Sequence, residues 1–144
     1  KSRVIIIDAD THTPSLSTLA GTEVAPGFAE LMAGTTDFTK AIKRDGDNLP
    51  VIPAGDHDRY NVDILGTNAF PQMLETLKAQ YDFVILDSAN ALTSTDAEVM
   101  AGQVDNVIVV AQWNKTPKKV LKRVAENLRQ YARDVPNVVL TKRA

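Results

Sequence analysis

Asp8 and Asp10 close the run VIIIDAD, where four β-branched apolar residues lead straight into negative charge, and Asp87 closes a second such run in YDFVILD. Carboxylates gathered at strand ends repel one another unless a cation or hydrogen-bond donors offset their charge. A hard cation such as Mg2+ takes carboxylate and water oxygens, usually beside a nucleotide phosphate. Each aspartate also has a plainer role as a cap on a loop or a following helix, Asp10 ahead of Pro14 and Asp87 ahead of Ser88. One pattern repeated at two strand ends points to a shared acidic site. His12 is either a cation beside a phosphate or an exposed loop residue. His12 and His57 stand on separate loops without ligand spacing, which argues against zinc. The sequence contains neither G-x-S-x-G nor G-x-G-x-x-G, so no nucleophile elbow or dinucleotide-binding turn is indicated.

Such a site needs elements that bring strand ends to one edge. Continuous apolar runs at Val4–Ile7, Leu49–Ile52, Phe83–Leu86, Val107–Ala111 and Val138–Leu140 read as strands buried on both faces. Helical spacing falls between them: Phe28, Leu31 and Met32; Phe38, Ala41 and Ile42; and Phe70, Met73, Leu74 and Leu77. A last helix from Pro117 to about Arg133 places Val120, Leu121, Val124, Leu128 and Tyr131 on one face. This alternation predicts an α/β fold, a mostly parallel β-sheet flanked by helices, in a single domain over residues 1–144. Ligands of such sheets bind at the carboxyl ends of the strands, where these aspartates fall. Pro53–Asn61 reads as a surface loop.

With 44% hydrophobic and 24% charged residues the composition is that of a globular protein. A net charge of −2 gives no reason to expect nucleic acid, and the absence of cysteine excludes disulfides and thiolate metal sites. No apolar run approaches the roughly 20 residues that span a bilayer. The seven basic residues between Lys115 and Arg133 read as a solvated helix face, or as a surface for anionic lipid or an acidic partner.

VIIIDADTHTPSL resembles the D-x-D-x-R-x-P motif of the bacterial tyrosine kinases, P-loop ATPases related to the MinD/ParA group. In order along the chain, PGFAELMAGTTDFTKAI, LPVIPAG, the Walker B-like YDFVILD, Thr95-Asp96-Ala97 and VIVVAQWNKTPKKVLKRV are similar to successive family segments. The resemblance implies an ATP-dependent tyrosine kinase-like domain regulating exopolysaccharide synthesis or export at the cytoplasmic face of the bacterial plasma membrane. It implies Mg2+ and ATP as cofactors, Asp8 and Asp10 as catalytic residues, and Asp8, Asp10 and Asp87 as metal ligands. Asp87, His12 and Thr141 would line the nucleotide. The implied partners are a membrane polysaccharide co-polymerase or export protein, further copies of the chain, and anionic membrane through the basic helix 117–133.

Several positions depart from the family. The P-loop pattern G-x-x-x-x-G-K-[ST] is absent. In the family it precedes the D-x-D strand, so the chain is expected to be the C-terminal part of a longer protein, a P-loop NTPase-like domain without its first βα unit, inactive as a fragment. The P-loop strand neighbours the Walker B strand in the family, so its absence should leave unpaired backbone groups there. His12 replaces arginine, Ser88-Ala89-Asn90 replaces Thr-Pro-Pro, and Thr141 stands where an asparagine reads adenine. Tyr60, Tyr81 and Tyr131 are scattered rather than gathered in a tail, and Tyr81 and Tyr131 read as packing residues. Two other functions follow from these changes: a regulatory or assembly module with a degenerate nucleotide site, and a MinD/ParA-like ATPase. PGFAELMAG and LPVIPAG argue against the second.

Overall fold

The computed structural model describes residues 2–22, 25–56 and 68–141. The chain divides into two compact units, Lys1–Ala89 and Asn90–Ala144. In the first, VIIID forms β1 (Val4–Asp8), with parallel partners on both sides, β3 (Pro50–Ile52) and β4 (Phe83–Asp87). A two-residue strand, β2 (Lys43–Arg44), runs antiparallel to β3 and completes the order β2-β3-β1-β4. It is too short to stand out in the sequence. Its hairpin is held by the Asp45 carboxylate, which accepts from the backbone N–H groups of Asp47 and Leu49.

The first unit also holds α1 (Ser15–Ala20), α2 (Phe28–Met32), α3 (Phe38–Ala41) and α4 (Ala69–Lys78). The helical spacing of Phe70, Met73, Leu74 and Leu77 buries all four. They join Ile5, Ile7, Val51, Ile52 and Phe28 in the core, where the Phe28 and Phe70 rings meet edge to face at 6.2 Å. Helix α1 was not evident from apolar spacing. It follows Pro14 and stops at Gly21, which takes the left-handed conformation at φ 64°. Of the loop expected over Pro53–Asn61, Pro53, Ala54 and Gly55 are buried rather than on the surface. The reason is that α2 packs its first turn onto them, with the Phe28 and Ala29 N–H groups donating to the carbonyls of Pro53 and Ala54 at 2.7 and 2.9 Å. His57 and Tyr60 lie outside the described residues.

The second unit comprises α5 (Asp96–Ala101), β5 (Ile108–Gln112), α6 (Lys118–Arg129) and β6 (Asn137–Thr141), with β5 and β6 parallel. Ala97, Ala101, Val124 and Leu128 form its core. Tyr131, expected to pack, is half exposed, because α6 ends at Arg129 and the chain turns away after it.

Adjacent Val51 and Ile52 of β3 are both buried, whereas β1 buries Ile5 and Ile7 on one face and leaves Val4 and Ile6 on the other half-buried, and the later strands are more open. Among the described residues β4 pairs with β1 alone, and its Phe83 and Ile85 are 59% and 50% exposed. In β5, Ile108 and Val110 are 61% and 65% exposed, and all of β6 is exposed. No helix among the described residues is long and apolar enough to cross a membrane.

Candidate functional site

Strands β1 and β4 run in register to their carboxyl ends, where Asp8 stands opposite Asp87. Asp10 follows two residues on. The pairing of VIIID with FVILD therefore collects three acidic side chains at one edge of the sheet.

Asp8 is fully buried. A buried carboxylate is tolerated only when donors replace its water, and here α1 delivers them. Asp8 Oδ2 accepts from the Ser17 backbone N–H at 2.8 Å and from the Ser17 hydroxyl at 2.6 Å. Asp8 Oδ1 takes one longer bond, from the Asp10 N–H at 3.2 Å. Asp10 shapes the turn between β1 and α1. Its Oδ1 accepts from the N–H groups of His12 and Thr13 at 3.2 and 2.9 Å, and its Oδ2 accepts from the Thr13 hydroxyl at 2.9 Å. The loop-capping role open to Asp10 is thus filled.

Asp87 is different. No side-chain hydrogen bond reaches it among the described residues, and Ser88 does not cap it, since the Ser88 hydroxyl donates to the Ala89 carbonyl. Partial burial raises its pKa above the ordinary aspartate value, and the charges of Asp8 and then Asp10 push it further the same way. Asp82, at the opposite end of the strand, shows the reverse. The Arg3 guanidinium donates to it at 2.9 Å and lowers its pKa.

His12 is exposed on the Asp10 turn, so the first unit holds four of the five residues singled out from the sequence. Thr141 belongs to the second unit, at the end of β6, where its hydroxyl donates to the Ala111 carbonyl at 3.3 Å. Ser17 was not foreseen as a site residue. Its sequence carries no nucleophile context, and its contact with Asp8 spans nine residues that only the β1–α1 return brings together.

The donor set suits Mg2+ in kind: hard anionic oxygens, one carboxylate without a side-chain hydrogen-bond partner among the described residues, and mutual repulsion that a cation would relieve. Among the described residues no three His, Asp or Glu side chains form a ready-made metal cage. Mg2+ does not require one, because it usually takes one or two carboxylates and completes its shell with water and phosphate oxygens.

No family model matches the chain. It is 26% identical over 144 residues to the succinoglycan biosynthesis transport protein ExoP of Rhizobium meliloti, across 97% of this chain and 18% of that protein. It is 25% identical over 142 residues to the tyrosine-protein kinase CpsD of Streptococcus pneumoniae, across 97% of this chain and 63% of CpsD. The kinase domain of the Escherichia coli tyrosine kinase ETK superposes with a TM-score of 0.91 at 25% identity, over 98% of this chain and 56% of that one. The relatives of this chain are thus named as bacterial tyrosine kinases and an exopolysaccharide transport protein. The chain spans less than a fifth of ExoP and less than two thirds of CpsD. Its fold extends further: cobyrinic acid a,c-diamide synthase from Mycobacterium smegmatis, solved with an ATP analog and magnesium, matches with a TM-score of 0.73 at 18% identity. That second likeness carries the P-loop NTPase-like fold alone.

Proposed function

We propose that residues 1–144 supply the acidic, metal-facing side of the ATP site in a protein-tyrosine kinase domain of the exopolysaccharide machinery. On this reading they work within a longer chain at the cytoplasmic face of the plasma membrane, beside a co-polymerase or export protein and further copies of the chain. The observation that carries the reading is the in-register pair Asp8 and Asp87 at the ends of adjacent parallel strands, with Asp10 beside them and their charges felt at Asp87. Bound Mg2+ would neutralise charge on the phosphate oxygens during in-line transfer of the γ-phosphoryl group to a tyrosine hydroxyl. Asp8 would hold the metal through Oδ1, Asp10 holds the turn beside it, and Asp87 would hold the metal from the adjacent strand. His12, exposed on the Asp10 turn, would stand toward phosphate in place of arginine.

The test is phosphotyrosine formation by the full natural chain supplied with Mg·ATP. Asp8→Asn and Asp87→Asn are expected to lower it about 100-fold or more. Wild-type phosphorylation in Asp8→Asn would overturn the reading. A regulatory module without nucleotide chemistry is the second reading, supported by the departures at His12, Ser88-Ala89-Asn90 and Thr141. A full natural chain that binds no Mg·ATP would decide for it, and one that hydrolyses ATP without phosphotyrosine would favour the MinD/ParA-like alternative.

A further inference from the structure

Ser17 is fully buried, yet its hydroxyl is committed on two sides. It donates to Asp8 Oδ2 at 2.6 Å and accepts from the Ala54 N–H at 3.0 Å. The Ala54 bond occupies a hydroxyl lone pair, so the proton is left pointing at Asp8. Asp8 Oδ2 thereby receives two donors, the hydroxyl and the Ser17 N–H, which fill its two in-plane lone-pair directions. Oδ1, with a single 3.2 Å bond, keeps a free direction.

We propose that Ser17 is a positioning residue that locks Asp8 into one-oxygen presentation, leaving Oδ1 alone to face a metal ion. The proposal rests on the assignment of Asp8 to the metal side of the site. Its chemical consequence is selectivity. Mg2+ demands near-ideal octahedral geometry with short bonds, whereas Ca2+ accepts bidentate carboxylates at longer distances. A carboxylate clamped at one oxygen favours Mg2+ and Mn2+ over Ca2+. The same hydroxyl ties the β1 end to the turn after β3, so the clamp is continuous with the Pro53–Ala54 seat of α2.

The experiment uses the full natural chain and the metals alone. Mn2+ binding is followed by electron paramagnetic resonance and competed with Ca2+, in parallel with urea unfolding in EDTA. Ser17→Cys keeps the side-chain shape with a somewhat larger atom and weakens the donor, and is expected to lower Mn2+ affinity about 10-fold while improving the competitive position of Ca2+. Ser17→Thr keeps the hydroxyl and is expected to stay closer to wild type in Mn2+ preference. A purely structural serine would lower the unfolding midpoint and leave the Mn2+ to Ca2+ ratio of the folded fraction unchanged, which would overturn the proposal. Asp8→Asn separates the two ideas: if it binds Mn2+ like wild type, the metal assignment of Asp8 fails. If Asp8→Asn loses Mn2+ while Ser17→Cys binds with wild-type affinity and selectivity, only the role of Ser17 fails.

Discussion

Asp82 and Asp87 flank one strand and meet opposite fates, and the difference lies in what each faces. Asp82 has Arg3, so its charge is stabilised; Asp87 is partly buried and then faces Asp8 and Asp10, so its charge is opposed. A carboxyl whose folded pKa exceeds its unfolded value binds its proton more tightly when folded. Stability is therefore lost as pH rises through that raised pKa and recovered as pH falls. Asp87→Asn should accordingly raise the free energy of urea unfolding at pH 7 without Mg2+, by less than about 1 kcal/mol because solvent screens a group that is only partly buried. The gain should shrink toward pH 4 as wild-type Asp87 protonates, and added Mg2+ should also reduce it. A variant less stable than wild type at pH 7 would contradict the repulsion.

Helix α2 has five residues, far too few to hold itself together in water. Its stability comes from its seat. Besides the Pro53 and Ala54 carbonyls, Glu30 closes the start of the helix, accepting from the Gly27 N–H at 2.7 Å and from the Asp56 N–H at 3.0 Å. Gly27 meets the Pro53 carbonyl so closely that an added Cβ would collide with backbone that cannot move aside. Gly27→Ala should cost about 1–3 kcal/mol in urea unfolding, and unchanged stability would mean that the turn yields. PGFAELMAG showed a helix with glycines around it. It could not show that Gly27 is required by a turn 26 residues away, because the constraint is a contact and not a propensity.

At the scale of the whole molecule the net charge of −2 conceals a division. Residues 1–89 carry seven Lys and Arg against thirteen Asp and Glu, and residues 90–144 carry nine against five, so the two units are −6 and +4. Along α6 and its approach, Lys122 pairs with Glu126 at 3.7 Å, while Lys115, Lys118, Lys119, Arg123 and Arg129 have no ion pair among the described residues. Exposed cations opposite an apolar buried stripe form a face suited to anionic lipid headgroups. The purified chain should bind phosphatidylserine vesicles in preference to phosphatidylcholine ones. At about 1 kcal/mol per lysine, combined Lys118→Gln, Lys119→Gln and Lys122→Gln should weaken that binding on the order of 100-fold in vesicle co-sedimentation. Equal binding to both lipids would remove the membrane from the list of partners.

The sequence by itself determined the strand runs, the α/β alternation and the two strand-end acidic positions. These are local patterns: β-branched runs, helical spacing and the break from apolar to charged residues within a few positions. The runs alone did not determine which strands are covered. VIIID and FVILD look alike, but among the described residues β1 has partners on both sides, whereas β4 pairs with β1 alone and exposes Phe83 and Ile85, an open side that the resemblance implied and the run did not. Nor did the sequence distinguish the aspartates by environment. Asp8 buried against Ser17, Asp10 spent on its own turn and Asp87 without a donor among the described residues are outcomes of long-range register and of the return of α1. Only tertiary structure decided them, because burial and hydrogen bonding depend on what arrives from elsewhere in the chain, and a run of residues does not encode its neighbours.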